Sequence, residues 1–358
     1  MTASPWIDSA TREFAEFSRK LGSGAARLAE LKDIDVGPTP KHALYHEDKL
    51  TLFHYEWSTP EPRIPLLIVY ALVNRPYMTD LQTDRSLIRG LLAAGIDVYL
   101  IDWGYPDHDD RHIGLGEYVT GYIDRCVDVV RSRHQIDRVN VLGICQGGTL
   151  SLCYTALFAD KVKNLITMVT PVDFHTEDNV LSRWLRYIDV DLLVDNLGNV
   201  PGELLNWIFL SLKPYRLSSQ KYVDMVDILD DAAKLKNFLR MEKWIFDSPD
   251  QAGEAFRQFA KDFFQNNKLI SGDVSIAGRN VDLRNISMPL LNIYATQDHL
   301  VPPAASTALR TVVGSDDYDE LAFDGGHIGI YVSGRAQRQI PPAIADWLAL
   351  RDAGTDTA

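Results

Sequence analysis

One cysteine in this chain stands where a catalytic nucleophile belongs. In Gly143-Ile144-Cys145-Gln146-Gly147-Gly148 a sulfur occupies the position that serine takes in the G-x-S-x-G turn. The run before it, Arg138 to Leu142, reads as a short β-branched strand, and Thr149 to Ala156 reads as a helix. Strand, sharp turn and helix are the context in which this motif raises a reactive side chain above a sheet. The glycines fit that geometry, because the nucleophile's backbone is strained and neighbouring side chains would collide across the turn. A thiol needs a base to become a thiolate, and the base needs a partner that fixes its tautomer. Asp298 follows the apolar run Leu290 to Ala295, and His327 follows a later β-rich run in Phe323-Asp324-Gly325-Gly326-His327. Each has an ordinary alternative: a packed thiol, a turn carboxylate, a satisfied core histidine. The three in the order nucleophile, acid, histidine, each after a strand-like run, point to nucleophilic catalysis at Cys145.

The oxyanion of such a reaction needs two donors. One is the backbone N–H of Gln146; the other comes from the loop Ala71-Leu72-Val73-Asn74-Arg75-Pro76, through Leu72 or Val73. Asn74 and Arg75 either brace that loop or are plain turn and surface residues. Cys126 and Cys153 fall in helical runs and read as packing residues, and His299 reads as a positional neighbour of Asp298. His108 and His112 flank Asp109-Asp110-Arg111 in a loop without a third ligand, so no metal is expected, and no cofactor.

These residues need a scaffold. Ala43 to Trp57 alternates around Glu47-Asp48-Lys49 like a hairpin. Short β-rich runs follow at 65–71, 97–101, 138–142, 164–169, 289–295 and 318–323, separated by helix-length segments that include 86–94 and 118–133. Strands alternating with helices predict an α/β protein: a mostly parallel eight-stranded sheet with helices on both faces and the hairpin at an antiparallel edge. Residues 6–32 read as two short amphipathic helices, giving an N-terminal region over 1–37. Residues 174–286 lack a buried-strand signal and are rich in Phe and Trp, so they read as an inserted, mainly helical cap or lid between the core segments 38–173 and 287–358. Most of the cap's apolar residues are expected to form its own core.

The composition of the 358-residue chain, 46% hydrophobic and 24% charged, is that of a globular protein with a sizeable core. A formal charge of −13 without Lys/Arg clusters argues against nucleic-acid binding. No secretory leader and no apolar run long enough to span a bilayer are visible, so a cytoplasmic protein is expected. Three cysteines are too few for a disulfide framework.

Sulfur narrows the chemistry. Moving an acyl group from a thioester to a protein thiol is near thermoneutral, so the acyl-enzyme keeps its transfer potential and transfer to an alcohol is then downhill. A capped, apolar site that limits water suits acyl transfer from a thioester to a hydroxyl, with hydrolysis as the competing outcome.

The elbow, together with Val73-Asn74-Arg75-Pro76-Tyr77, Val98 to Gly104, Asp298-His299-Leu300-Val301-Pro302 and Gly325-Gly326-His327-Ile328-Gly329, resembles the polyhydroxyalkanoate synthases of the α/β-hydrolase superfamily. The likeness runs from about residue 38 to 350, is weakest in the cap, and in overall length is similar to the class III catalytic subunit. It implies polymerisation of (R)-3-hydroxyacyl-CoA, with 3-hydroxybutyryl-CoA as the expected monomer donor, and release of CoA at a polymer granule surface. It implies Cys145 as acyl carrier, His327 as its base, and Asp298 either orienting His327 or activating the acceptor hydroxyl. A noncatalytic second subunit is the implied partner, in a homodimer or hetero-oligomer. Two other readings stay open: a cysteine hydrolase (thioesterase or polyester depolymerase) using the same residues, and a noncatalytic granule- or partner-binding protein using the aromatic cap.

Overall fold

The computed structural model describes residues 34–56, 64–213 and 221–352, so the helices expected over 6–32 lie outside the described residues. Eight strands form one sheet: β1 Lys41–Glu47, β2 Leu50–Tyr55, β3 Ile64–Val69, β4 Ile96–Asp102, β5 Val139–Ile144, β6 Val162–Met168, β7 Leu290–Ala295 and β8 Tyr318–Phe323. Their order across the sheet is β1-β2-β4-β3-β5-β6-β7-β8. β1 and β2 form the expected antiparallel hairpin, β2 runs antiparallel to β4, and every later pairing is parallel.

Sequence explains placement. β4 and β5 are buried at every position, as strands covered on both faces must be, whereas edge strand β1 has no fully buried residue. Alternate residues of the central strands feed two cores. Leu67, Val69, Val139 and Val141 pack with Cys126 and Val130 of helix Asp124–His134 and Leu150 of helix Gln146–Leu157. Leu66, Ile68, Leu142 and Ile144 pack on the opposite face with Ile88 and Leu91 of helix Leu87–Ala93 and Ile340 of helix Gly334–Asp352. The chain passes from β4 across β3 to β5, so the direction of winding reverses beside β3. Ligands of open α/β sheets bind past the carboxyl ends of the strands at such a reversal.

Between β6 and β7 lies the helical insertion, with helices Val180–Leu185, Val190–Leu197, Gly202–Ser211, Lys221–Ile228, Ala232–Phe246 and Gly253–Phe259. Strand pairing here is confined, among the described residues, to Ser275–Ile276 with Arg279–Asn280 and a bridge between Val200 and Gln251. Phe174, the first residue of the insertion, stacks on Phe263, centroids 5.7 Å apart, and meets Phe264 edge-on at 4.8 Å, pinning the start of the insertion to its later helices. No helix among the described residues is long and apolar enough to cross a membrane.

Candidate active site

Cys145 sits between the end of β5 and helix Gln146–Leu157, with φ 55° and ψ −125°. An L residue held there stores about 1–3 kcal/mol of strain. Its N–H donates to the Met168 carbonyl at the end of β6 (2.9 Å), and its carbonyl accepts the Gly148 N–H (2.9 Å), so both neighbours of the turn fix it. A Cβ at Gly147 would overlap the Val69 carbonyl oxygen, and one at Gly148 the Thr170 side chain, which is why glycine follows. The turn leaves the Cys145 thiol partly exposed while Cys126 and Cys153 are buried. Burial pushes the Cys153 thiol up to about 12 and raises Cys126 as well, so neither supplies a thiolate near neutrality.

His327 and Asp298 meet in the loops after β8 and β7. His327 Nδ1 lies 2.6 Å from Asp298 Oδ2, and the carboxylate is fully buried. The other carboxylate oxygen accepts the backbone N–H groups of Leu300 (2.8 Å) and Val301 (3.0 Å). Every Asp298 oxygen is therefore engaged in holding the loop and the imidazole. Burial opposes a charged His327, but the charge and hydrogen bonding of Asp298 and Cys145 outweigh it and push the imidazole up to about 10. The arrangement favours an imidazolium beside sulfur, the form that can return a proton to a leaving group.

The two loop N–H groups differ in their partners. The Leu72 N–H donates to the Gln146 side-chain Oε1 at 3.1 Å, so of the two expected loop donors Leu72 is already engaged. Val73 lines the cavity, and its N–H has no hydrogen-bond partner among the described residues. Gln146 opens its helix, and the first N–H of a helix lacks an intrahelical acceptor. Of the two loop N–H groups, that of Val73 is thus the one without an acceptor among the described residues.

Asn74 and Arg75 brace this loop. Asn74, at φ 57°, donates to the Ser248 hydroxyl (2.6 Å) in the cap. Arg75 pairs with Asp102 (2.7 Å), lies over the Tyr105 ring, and accepts through its carbonyl the Trp244 indole N–H (2.8 Å). Tyr77 and Tyr105 both donate to Asp247, at 3.0 and 2.6 Å. Cap residues 244–248 are thereby tied to the loop that carries Val73. A polar amide in the buried first turn of a helix is the sequence signal for the Gln146 tie; Asp247 and Ser248, remote in sequence, carry none.

Cys145, His327 and Val73 open on one cavity of about 550 Å³ between sheet and insertion. Its walls include Phe209, Ile245, Phe256 and Phe264, so these belong to the part of the cap's apolar residues that faces the cavity. His299 also lines it. Tyr70 and Tyr331 flank the site, and burial holds both phenols well above their ordinary range. His108 and His112 fall not in the expected loop but in a short 3-10 helix, His108–His112, capped by Asp107, where His108 Nδ1 meets Arg111 at 2.9 Å. Among the described residues no group of three or more His, Cys, Asp or Glu side chains is placed to hold a metal ion.

The family model described as alpha/beta hydrolase fold matches residues 64–333. Among solved structures, the chain is similar to the monoacylglycerol lipase of Paleococcus ferrophilus (TM-score 0.53, 18% identity, covering 84% of this chain and 99% of that one). Est1E of Butyrivibrio proteoclasticus is similar too (TM-score 0.51, 13% identity, 86% and 97%). At such identities the likeness is one of fold, and the fold is that of the α/β hydrolases. Among curated relatives, the poly(3-hydroxyalkanoate) polymerase subunit PhaC of Allochromatium vinosum is 63% identical over 95% of this chain and 97% of its own length. The protein of the same name from Synechocystis is 55% identical over 95% and 92%. The chain belongs to the poly(3-hydroxyalkanoate) polymerase family, within the α/β hydrolase fold.

Proposed function

We propose that this chain is the catalytic subunit of a polyhydroxyalkanoate synthase, an acyltransferase that joins (R)-3-hydroxyacyl groups from CoA thioesters into polyester. The observation that carries the chemistry is a strained elbow with sulfur at its tip, opening on an apolar cavity beside an Asp-buttressed histidine. Cys145 Sγ attacks the thioester carbonyl, and the resulting oxyanion lies against the N–H groups of Val73 and Gln146. The carbon–sulfur bond to CoA breaks, and CoA leaves with the proton held on His327. His327 next takes the proton of a 3-hydroxyl whose oxygen attacks the Cys145 thioester; a C–O bond forms, the C–S bond breaks, and sulfur is regenerated. Asp298 orients His327, a role favoured by the engagement of both its oxygens.

Residues 174–286 act as the cap over a core of 38–173 and 287–358, limiting water at the acyl-enzyme. Tyr187, Trp207 and Phe246 are exposed on the cap, which supports work at a polymer granule surface in the cytoplasm and contact with a noncatalytic second subunit. The test is incubation of the purified protein with 3-hydroxybutyryl-CoA, with and without a second subunit. CoA release with polymer in the product supports the reading. CoA release with only free 3-hydroxybutyrate makes the chain a thioesterase.

A further inference from the structure

The charge of the cavity is at odds with that of the chain. The protein carries a net charge of −13, yet no Asp or Glu is among the described residues lining the cavity. Besides Cys145, His299, His327 and the buried phenol of Tyr70, the ionisable wall residue among the described residues is a cation, Lys213, just past the helix Gly202–Ser211 that contributes Ile208, Phe209 and Leu210 to the wall. Lys213 is half-buried, and among the described residues it has no ion pair and no hydrogen-bonded carboxylate. Other basic side chains of the insertion are occupied: Arg257 binds Asp191 (2.6 Å) and Asp195 (2.6 Å), and Lys221 binds Glu242 (2.7 Å). A half-buried ammonium with no counter-ion among the described residues, on the wall of an apolar cavity, is a place where a ligand can supply the anion.

We infer that Lys213 is the contact for the phosphates of the incoming CoA thioester. This rests on the acyl-CoA reading of the same site. The fit follows from size and chemistry. A cavity of about 550 Å³ suits an acyl group and an uncharged pantetheine arm, but not the nucleotide as well. With the thioester carbonyl at Cys145, the phosphates lie beyond the pantetheine arm, and a flexible ammonium on a four-carbon stem in the cavity wall can follow them. In an acidic protein a local cation also offsets the repulsion that a polyanionic substrate meets on approach. The product polyester is neutral, so Lys213 draws in the donor without retaining the polymer.

The experiment compares 3-hydroxybutyryl-CoA with the phosphate-free 3-hydroxybutyryl-N-acetylcysteamine thioester in wild type, Lys213→Ala and Lys213→Arg. The expected result is a rise of roughly tenfold in KM for the CoA thioester in Lys213→Ala, with kcat unchanged, the size of a lost charge-assisted hydrogen bond. Lys213→Arg restores most of it, and the N-acetylcysteamine thioester shows no difference among the three. Equal losses with both thioesters, or no loss with the CoA thioester, overturn the assignment. Calorimetric binding of free CoA and of pantetheine to the same proteins needs no turnover, so it tests the phosphate contact even if the site performs another reaction. Preference for CoA over pantetheine that survives in Lys213→Ala also overturns it.

Discussion

The side-chain oxygen of Gln146 accepts the backbone N–H of Leu72 at 3.1 Å, joining the residue after the nucleophile to the loop that faces it. The elbow and the facing loop come from different strands, so this bond sets the spacing between the N–H groups of Gln146 and Val73, the donors proposed for the oxyanion. Gln146→Ala leaves a buried N–H unsatisfied, a cost of about 1–3 kcal/mol. The expected outcome is a fall in kcat of about tenfold or more with little change in KM, read by steady-state CoA release. Gln146→Glu, which keeps an acceptor, should recover part of it; equal loss in both variants counts against a positioning role.

Strain at Cys145 gives a stability test with an inverted sign. Glycine ordinarily destabilises relative to alanine by roughly 0.5–1 kcal/mol. At φ 55° and ψ −125° the order should reverse, with Cys145→Gly melting above Cys145→Ala by an amount equivalent to about 1 kcal/mol. Neither variant should form an acyl-enzyme detectable by intact-protein mass. Thermal unfolding of the pair decides it: if alanine is the more stable, the backbone is unstrained.

His327 makes stability depend on pH in a stated direction. Its folded value lies near 10, above the ordinary 6.5, so the folded state binds the proton more tightly than the unfolded chain. That contribution is complete below about pH 6.5 and disappears as pH rises through about 10. The gap in unfolding midpoint between wild type and His327→Gln should therefore be widest near pH 6 and narrow steadily toward pH 10. A gap that stays constant, or widens with pH, would show that the imidazolium is not favoured by folding.

Asp298→Asn keeps shape while removing charge. An amide N–H turned toward His327 Nδ1 leaves the ring in the wrong tautomer, as in other nucleophile-histidine-acid sites, and kcat should drop by about 10²–10⁴. Burst measurements should show that acylation of Cys145 slows too. If acylation stays fast and only chain transfer slows, Asp298 serves the acceptor hydroxyl.

The strand pattern, the turn at Cys145 and the placing of Asp298 and His327 just past strand ends were legible in the sequence because each depends on local signals: β-branched runs, glycines at a turn, and polar residues after apolar runs. Sequence periodicity put β5, β7 and β8 within a residue or two of their observed limits. The choice between Leu72 and Val73 was not legible, since it turns on which N–H a side chain from another strand reaches. The inward-facing part of the cap was hidden for a related reason. Phe256 and Phe264 look alike as hydrophobic residues whether they fill a core or line a cavity, and only the packing of the insertion over Cys145 separates the two.

The Asn74–Ser248 and Tyr77–Asp247 bonds predict that the cap controls the fate of the acyl group. Asn74→Ala removes one cap tie at a cost of about 1 kcal/mol and should raise the ratio of free 3-hydroxyacid to polymer, measured by chromatography of the products. An unchanged ratio means water is kept out by other contacts.

Glycines at 147 and 148 leave no room between the elbow and its neighbours Val69 and Thr170. The floor of the site is therefore frozen: almost any side chain added there displaces the nucleophile. Substitutions that retune which monomers are accepted must fall on the opposite wall, at positions such as Phe209 and Met241, whose side chains can change without a new contact at the elbow. A family built this way can diversify its polymers while its chemistry stands still.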